Sequence, residues 1–203
     1  MHSKNNVHWI GIDHDWKQRL ESNPWSRFFK GNPFDHFYGA ETLNMLNLRQ
    51  KILDYAGEDV CLPFGYNDLD PFGSILLQHA QPFELKEAIK ADFMPTNMCY
   101  VNNCYIVHRY PELFELCYGF YMDEKGMWRE HAWVVTKNNR MVELTNTGNA
   151  YFGINLTQLG LDKGFIAMQI NDNTIRDYCQ FDEEIYDFVD FINELNTQNN
   201  NHI

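Results

Sequence analysis

Basic residues are scarce in this chain: 16 Lys and Arg stand against 28 Asp and Glu, for a formal net charge of −12. Phosphate contacts need clustered cations, so this balance argues against nucleic-acid binding and permits a basic partner. Apolar runs long enough to span a bilayer are missing. The first residues, Met1 to His8, lack the apolar stretch of a secretory signal, which predicts a cytoplasmic protein that engages no membrane. The five cysteines (Cys61, Cys99, Cys104, Cys117, Cys179) form no Cys-x-x-Cys pair, and an odd, scattered set reads as reduced thiols rather than a disulfide framework or zinc ribbon. Neither a Gly-x-Gly-x-x-Gly stretch nor a phosphate-binding Gly-Lys-Ser/Thr loop occurs, so no nucleotide cofactor is indicated. His8, Asp13, His14, Asp15, Asp35 and His36 cluster loosely without ligand spacing, and Asp59, Asp68 and Asp70 lie in acidic turns; no metal is expected.

What the chain does have is core material. With 44% apolar and 15% aromatic residues over 203 positions, one domain over 1–195 is expected, with a frayed polar tail over 196–203. Residues 1–95 read as a mainly helical part: an irregular aromatic-rich stretch over the first 36, a helix over 40–56, a Pro- and Gly-dense loop over 61–74 and a helix over 82–92 opened by Pro82. From 96 onward the expectation is a helix beginning at Cys99, then strands over 115–122, 128–136 and 141–145, with turns at 123–126 and 137–140. Further strands are expected near 150–156 and 165–171. Phe181, Ile185, Phe188, Val189, Ile192 and Leu195 recur at helical spacing and predict a closing helix. The fold class is α+β, with helices packed on a small antiparallel sheet.

Three residues carry chemistry. Cys99 opens a helix, where unpaired amide N–H groups favour an anion and could cradle an oxyanion. His131 follows 32 residues later on a strand that alternates toward Trp133 and Val135. Glu143 sits on the next strand between Val142 and Leu144, and the intervening turn brings it across from or diagonal to His131. Nucleophile, base and orienter in that arrangement suit thiol-dependent attack on a carbonyl. Asn97 or Asn102 would be the side-chain donor to an oxyanion.

Cys99-Tyr-Val-Asn102, Glu130-His131-Ala132-Trp133 and Val142-Glu143-Leu144-Thr145 together resemble the core of the transglutaminase-like/papain-like cysteine superfamily, which includes arylamine N-acetyltransferases and transglutaminase-like peptidases. The resemblance covers residues 97–146 and implies Cys99 as nucleophile, His131 as base and acid, and Glu143 as orienter. The orienter in that superfamily is usually Asp or Asn; Glu143 is one methylene longer, so strand register or imidazole tilt must differ. The implied substrate is a peptide, amide or other acyl compound, processed as by a peptidase, amidase, deamidase or acyltransferase. The contrasting reading is a non-catalytic acidic protein that keeps the fold to bind or inhibit a partner. Size, acidity and the Asn-rich tail suit an accessory protein of a bacterial or phage cytosol.

Overall fold

A computed structural model describes residues 7–10, 43–61, 71–83 and 88–200. Strands β5 (Phe114–Met122) and β6 (Met127–Thr136) form its centre, paired antiparallel from Phe114–Thr136 to Met122–Trp128. Asp123 makes the turn between them: its N–H donates to the Met127 carbonyl, its carboxylate accepts the Lys125 and Met127 amides, and Gly126 takes φ +81°. Outside β5 lie β8 (Ala150–Asn155) and the edge strand β3 (Gln81–Pro82), both antiparallel. The other flank of β6 carries two different neighbours. β2 (Asp59–Cys61) runs parallel to residues 127–129, while β7 (Met141–Glu143) runs antiparallel to 134–135. β4 (Ala88–Ala91) pairs parallel with β7, and β1 (Val7–Ile10) pairs antiparallel with β4. The result is an α+β fold on an eight-stranded, mainly antiparallel sheet.

Period-two alternation sends the two sides of these strands into two cores. Phe114, Leu116, Phe120, Trp128, Val134 and Phe152 join the larger one, to which all six α-helices among the described residues contribute. These are α1 (Leu43–Tyr55), α2 (Pro71–His79), α3 (Cys99–Arg109), α4 (Asp162–Gln169), α5 (Asp172–Tyr178) and α6 (Asp182–Asn200). α6 seats Ile185, Phe188, Val189 and Ile192 there, and the Phe188 ring stacks on Phe114 at 5.9 Å. The opposite sheet face holds Ala88, Cys117, Trp133, Val135, Met141 and Tyr151, with Phe83 and Tyr121 against them.

Five expectations are corrected. The described ends of the expected 82–92 helix are strands: Pro82 belongs to β3 and 88–91 to β4, where Ala88, Ile89 and Ala91 are buried in a strand flanked on both sides, and 84–87 lie outside the described residues. Residues 165–169 are helical rather than extended, with Phe165 the single buried residue of α4. Within the expected 61–74 loop, Pro71–Ser74 open α2, and 62–70 lie outside the described residues. The described part of 1–95 contains four strands beside its two helices; of the first 36 residues only 7–10 are described, as a strand. Residues 196–200 continue α6 rather than forming a loose tail.

Candidate active site

The split flank of β6 makes the site. Among the described residues no strand pairs with residues 130–133 between β2 and β7, and the start of α3 enters there. Asn103, fully buried, donates from Nδ2 to the Cys99 carbonyl at 2.7 Å and to the Ala132 carbonyl at 2.8 Å. One amide thus ties the first turn of the helix to the exposed backbone of the strand and supplies the bond a neighbouring strand would have made. No side chain caps this helix: Met98 occupies the N-cap, and the first intrahelical bond runs from the Asn102 N–H to the Met98 carbonyl at 2.9 Å. The opening amides of the helix therefore remain available for an anion beside Cys99.

Cys99 is half-buried and close enough to His131 to contribute to the raised proton affinity of the imidazole. The imidazole Nε2 lies 3.0 and 2.9 Å from the two carboxylate oxygens of Glu143, which leaves Nδ1 for another partner. His131 is 1% exposed and Glu143 not at all. Extending the Val134–Val142 register by one step sets Glu143 opposite Trp133, so it meets His131 diagonally across the same face. The longer side chain of Glu suits that diagonal. Tyr121 lies over the imidazole at 4.7 Å between centroids, and Trp133 stacks near it at 6.3 Å.

Burial alone would lower the proton affinity of His131, but the charge of Glu143 and the hydrogen bonds to Cys99 and Glu143 outweigh it, and its pKa is pushed up to about 9. A histidine whose pKa is higher folded than unfolded stabilises the fold fully below the unfolded value near 6.5 and loses that contribution as pH rises through about 9. We therefore expect the stability gap between the wild type and Glu143→Gln to be a few kcal/mol near pH 6.5 and to shrink by about pH 9.5, as measured by urea unfolding. A constant gap would show that the pair is not ionic.

The other thiols differ. Burial pushes the Cys104 and Cys117 thiols up, whereas Cys61 and Cys179 are exposed. Of the two asparagines expected near an oxyanion, Asn102 is committed elsewhere: Nδ2 donates to the Pro95 carbonyl and Oδ1 accepts the Tyr178 hydroxyl, both at 2.8 Å, bracing the turn into α3. Asn97 is exposed in a left-handed conformation with φ 61°. Sequence reasoning missed Asn103 and Tyr151. An Asn four residues into a helix led by Cys was the one available signal for the first; Tyr151 carried none.

A cavity of about 650 Å³ opens near β3 and β8, lined by Gln81, Phe83, Val135, Gly153, Asn155 and Gln158 among others, and it contains none of Cys99, His131 and Glu143. Gly153 pairs with Gly119, which pairs with His131, so that part of the wall lies two strand spacings from His131, about 10 Å, while Val135 brings the cavity to the imidazole strand four residues beyond the ring. Among the described residues no group of three His, Cys, Asp or Glu is arranged to hold a metal ion. The loose His and Asp cluster of the first 36 residues and Asp68 with Asp70 lie outside the described side chains. No described helix is long and apolar enough to cross a membrane. Compared with protein-family models, curated proteins and solved structures, the chain matches none.

Proposed function

We propose that the protein is a thiol-dependent hydrolase or acyltransferase that attacks an amide or related acyl carbonyl through Cys99. The observation that carries this is the buried His131 ring, held at Nε2 by both oxygens of Glu143, with Cys99 near enough to help raise its proton affinity. Such an imidazole is a strong base toward the thiol, and the fixed carboxylate stabilises its protonated form. The Cys99 thiolate adds to the carbonyl carbon, and the carbonyl π pair moves to oxygen, where the opening amides of α3 stabilise the charge. The C–N or C–O bond then breaks while Nδ1–H of His131 protonates the leaving group, leaving a thioester. Water or an amine adds to the thioester and gives its proton back to Nδ1, the C–S bond breaks, and the acid or new amide departs. This is the chemistry of the transglutaminase-like and papain-like enzymes that the segment 97–146 resembles.

The test is acyl trapping. With p-nitrophenyl acetate, peptide mapping by mass spectrometry is expected to find the acetyl group on Cys99 well before the exposed Cys61 and Cys179, and Cys99→Ser is expected to abolish the fast phase. Equal labelling of all exposed thiols, or release of nitrophenol that survives Cys99→Ser, would overturn the proposal and favour the acidic binding protein.

A further inference from the structure

We propose that Tyr151 is a positioning residue of the thiol site: its hydroxyl holds the Glu143 carboxylate in the place from which it aligns His131 with Cys99. This rests on the thiol-enzyme reading above and adds to it a fourth side chain from a fourth secondary-structure element.

Glu143 is wholly buried, and its carboxylate has to be fixed on the side away from the imidazole as well as toward it. Tyr151, on β8, donates its hydroxyl hydrogen to Oε2 at 2.9 Å. The same hydroxyl oxygen accepts the Gly148 N–H at 2.9 Å, so the O–H vector is set by the backbone just before the strand. Thr145 approaches the other oxygen with its N–H at 3.4 Å and its hydroxyl at 3.3 Å, both longer contacts. Tyr151 thus makes the shortest hydrogen bond to Glu143 apart from the imidazole. Its ring is clamped against Trp133 at 5.2 Å and lies 6.3 Å from the His131 ring, in a core that leaves it 1% exposed. A Glu side chain has one more free torsion than Asp, and a hydroxyl anchored on a rigid strand is what removes that freedom.

Other ionisable groups around the carboxylate do not substitute for it. Lys90, in parallel register with Glu143 on β4, directs its ammonium to the Thr145 carbonyl and to Asp92 at 3.0 Å. Tyr121, on β5, faces the imidazole rather than making a hydrogen bond to Glu143. Cys99, from α3, acts on the imidazole rather than on the carboxylate.

The experiment measures iodoacetamide alkylation of Cys99 against pH in the wild type, Tyr151→Phe, His131→Ala and the double variant. Tyr151→Phe keeps the packed ring and removes one hydroxyl, so the fold is expected to persist, as circular dichroism would verify. The expected result is a fall of about tenfold in Cys99 alkylation near pH 6, the size of one lost hydrogen bond to a buried charge, with no change on the alkaline plateau. In the His131→Ala background the added Tyr151→Phe change is expected to do nothing, because the hydroxyl acts through the imidazole. A profile for Tyr151→Phe that matches the wild type would overturn this inference and leave the thiol site standing. A tenfold loss that persists without His131 would overturn it too, since the effect would then be structural. A wild-type Cys99 no more reactive than Cys61 near pH 6 would instead sink the thiol-enzyme reading, and this inference with it.

Discussion

Alanine at position 131 is expected to return Cys99 to ordinary thiol behaviour, with alkylation near pH 6 falling about a hundredfold or more while Cys61 and Cys179 keep their rates. The size is that of a change between thiolate and thiol: a free thiol titrates near 8.5, is under about 1% ionised at pH 6, and reacts as the anion. Glu143 supplies the anion that keeps the buried ring protonated. His131→Ala removes the cation and leaves Glu143 buried with the Tyr151 and Thr145 contacts alone. Some loss of stability is therefore expected as well, and the alkylation rates have to be compared where both proteins remain folded. Unchanged Cys99 reactivity would mean that the helix start, not the imidazole, governs the thiol.

The second large effect is expected at a pair of glycines. Gly119 and Gly153 face each other on β5 and β8, directly beside His131 in the register. A Cβ at Gly119 would lie 2.3 Å from the Phe152 carbonyl oxygen and 2.5 Å from the Gly153 Cα. A Cβ at Gly153 would lie 2.3 Å from the Tyr118 carbonyl oxygen and 2.8 Å from the Trp133 ring. The colliding atoms are mostly backbone, which cannot swing aside, so the strands themselves would have to part. Gly119→Val is expected to cost about 3 kcal/mol or more, at or beyond the upper end of ordinary overpacking, and to lower the urea midpoint accordingly. Because β5 is the strand on the paired side of His131, the same change should blunt Cys99 reactivity. A variant with an unaltered midpoint would show that the two strands separate at little cost.

The placement of Cys99, His131 and Glu143 was legible because each was marked by local rules. Cys99 followed Pro95 at a helix start, His131 shared alternation with Trp133, and the short turn at 137–140 left little freedom in where Glu143 could fall. The β5–β6 hairpin and the closing helix α6 were readable for the same reason: turn residues and apolar period agreed. The segment 82–92 failed because Glu84, Leu85, Lys86, Glu87 and Ala88 favour helix locally, while the neighbours that make 88–91 a strand, β1 and β7, come from distant sequence. α4 failed in the opposite sense: Phe165, Ile166 and Ile170 suggested a strand, but only one face of one turn is needed to reach the core. Tyr151 and Asn103 act through contacts of a single atom pair or two, and nothing in residue order announces which buried hydroxyl or amide will meet which carbonyl or carboxylate.

The split flank of β6 has a kinetic consequence. Where a continuous sheet would hold residues 130–133 by a row of backbone bonds, here the Asn103 amide and the first turn of α3 take that place. Helix ends fray before helix centres, and fraying needs no disruption of the β5–β6 ladder behind it. When that turn loosens, Cys99 and the opening amides of the helix move together. On the proposed thiol-enzyme reading, the fluctuation that hydrogen exchange would detect at Asn102, whose N–H closes the first turn, is also the one that would switch the thiol off, and its active lifetime would follow the local opening rate of a single helical turn rather than the stability of the whole fold.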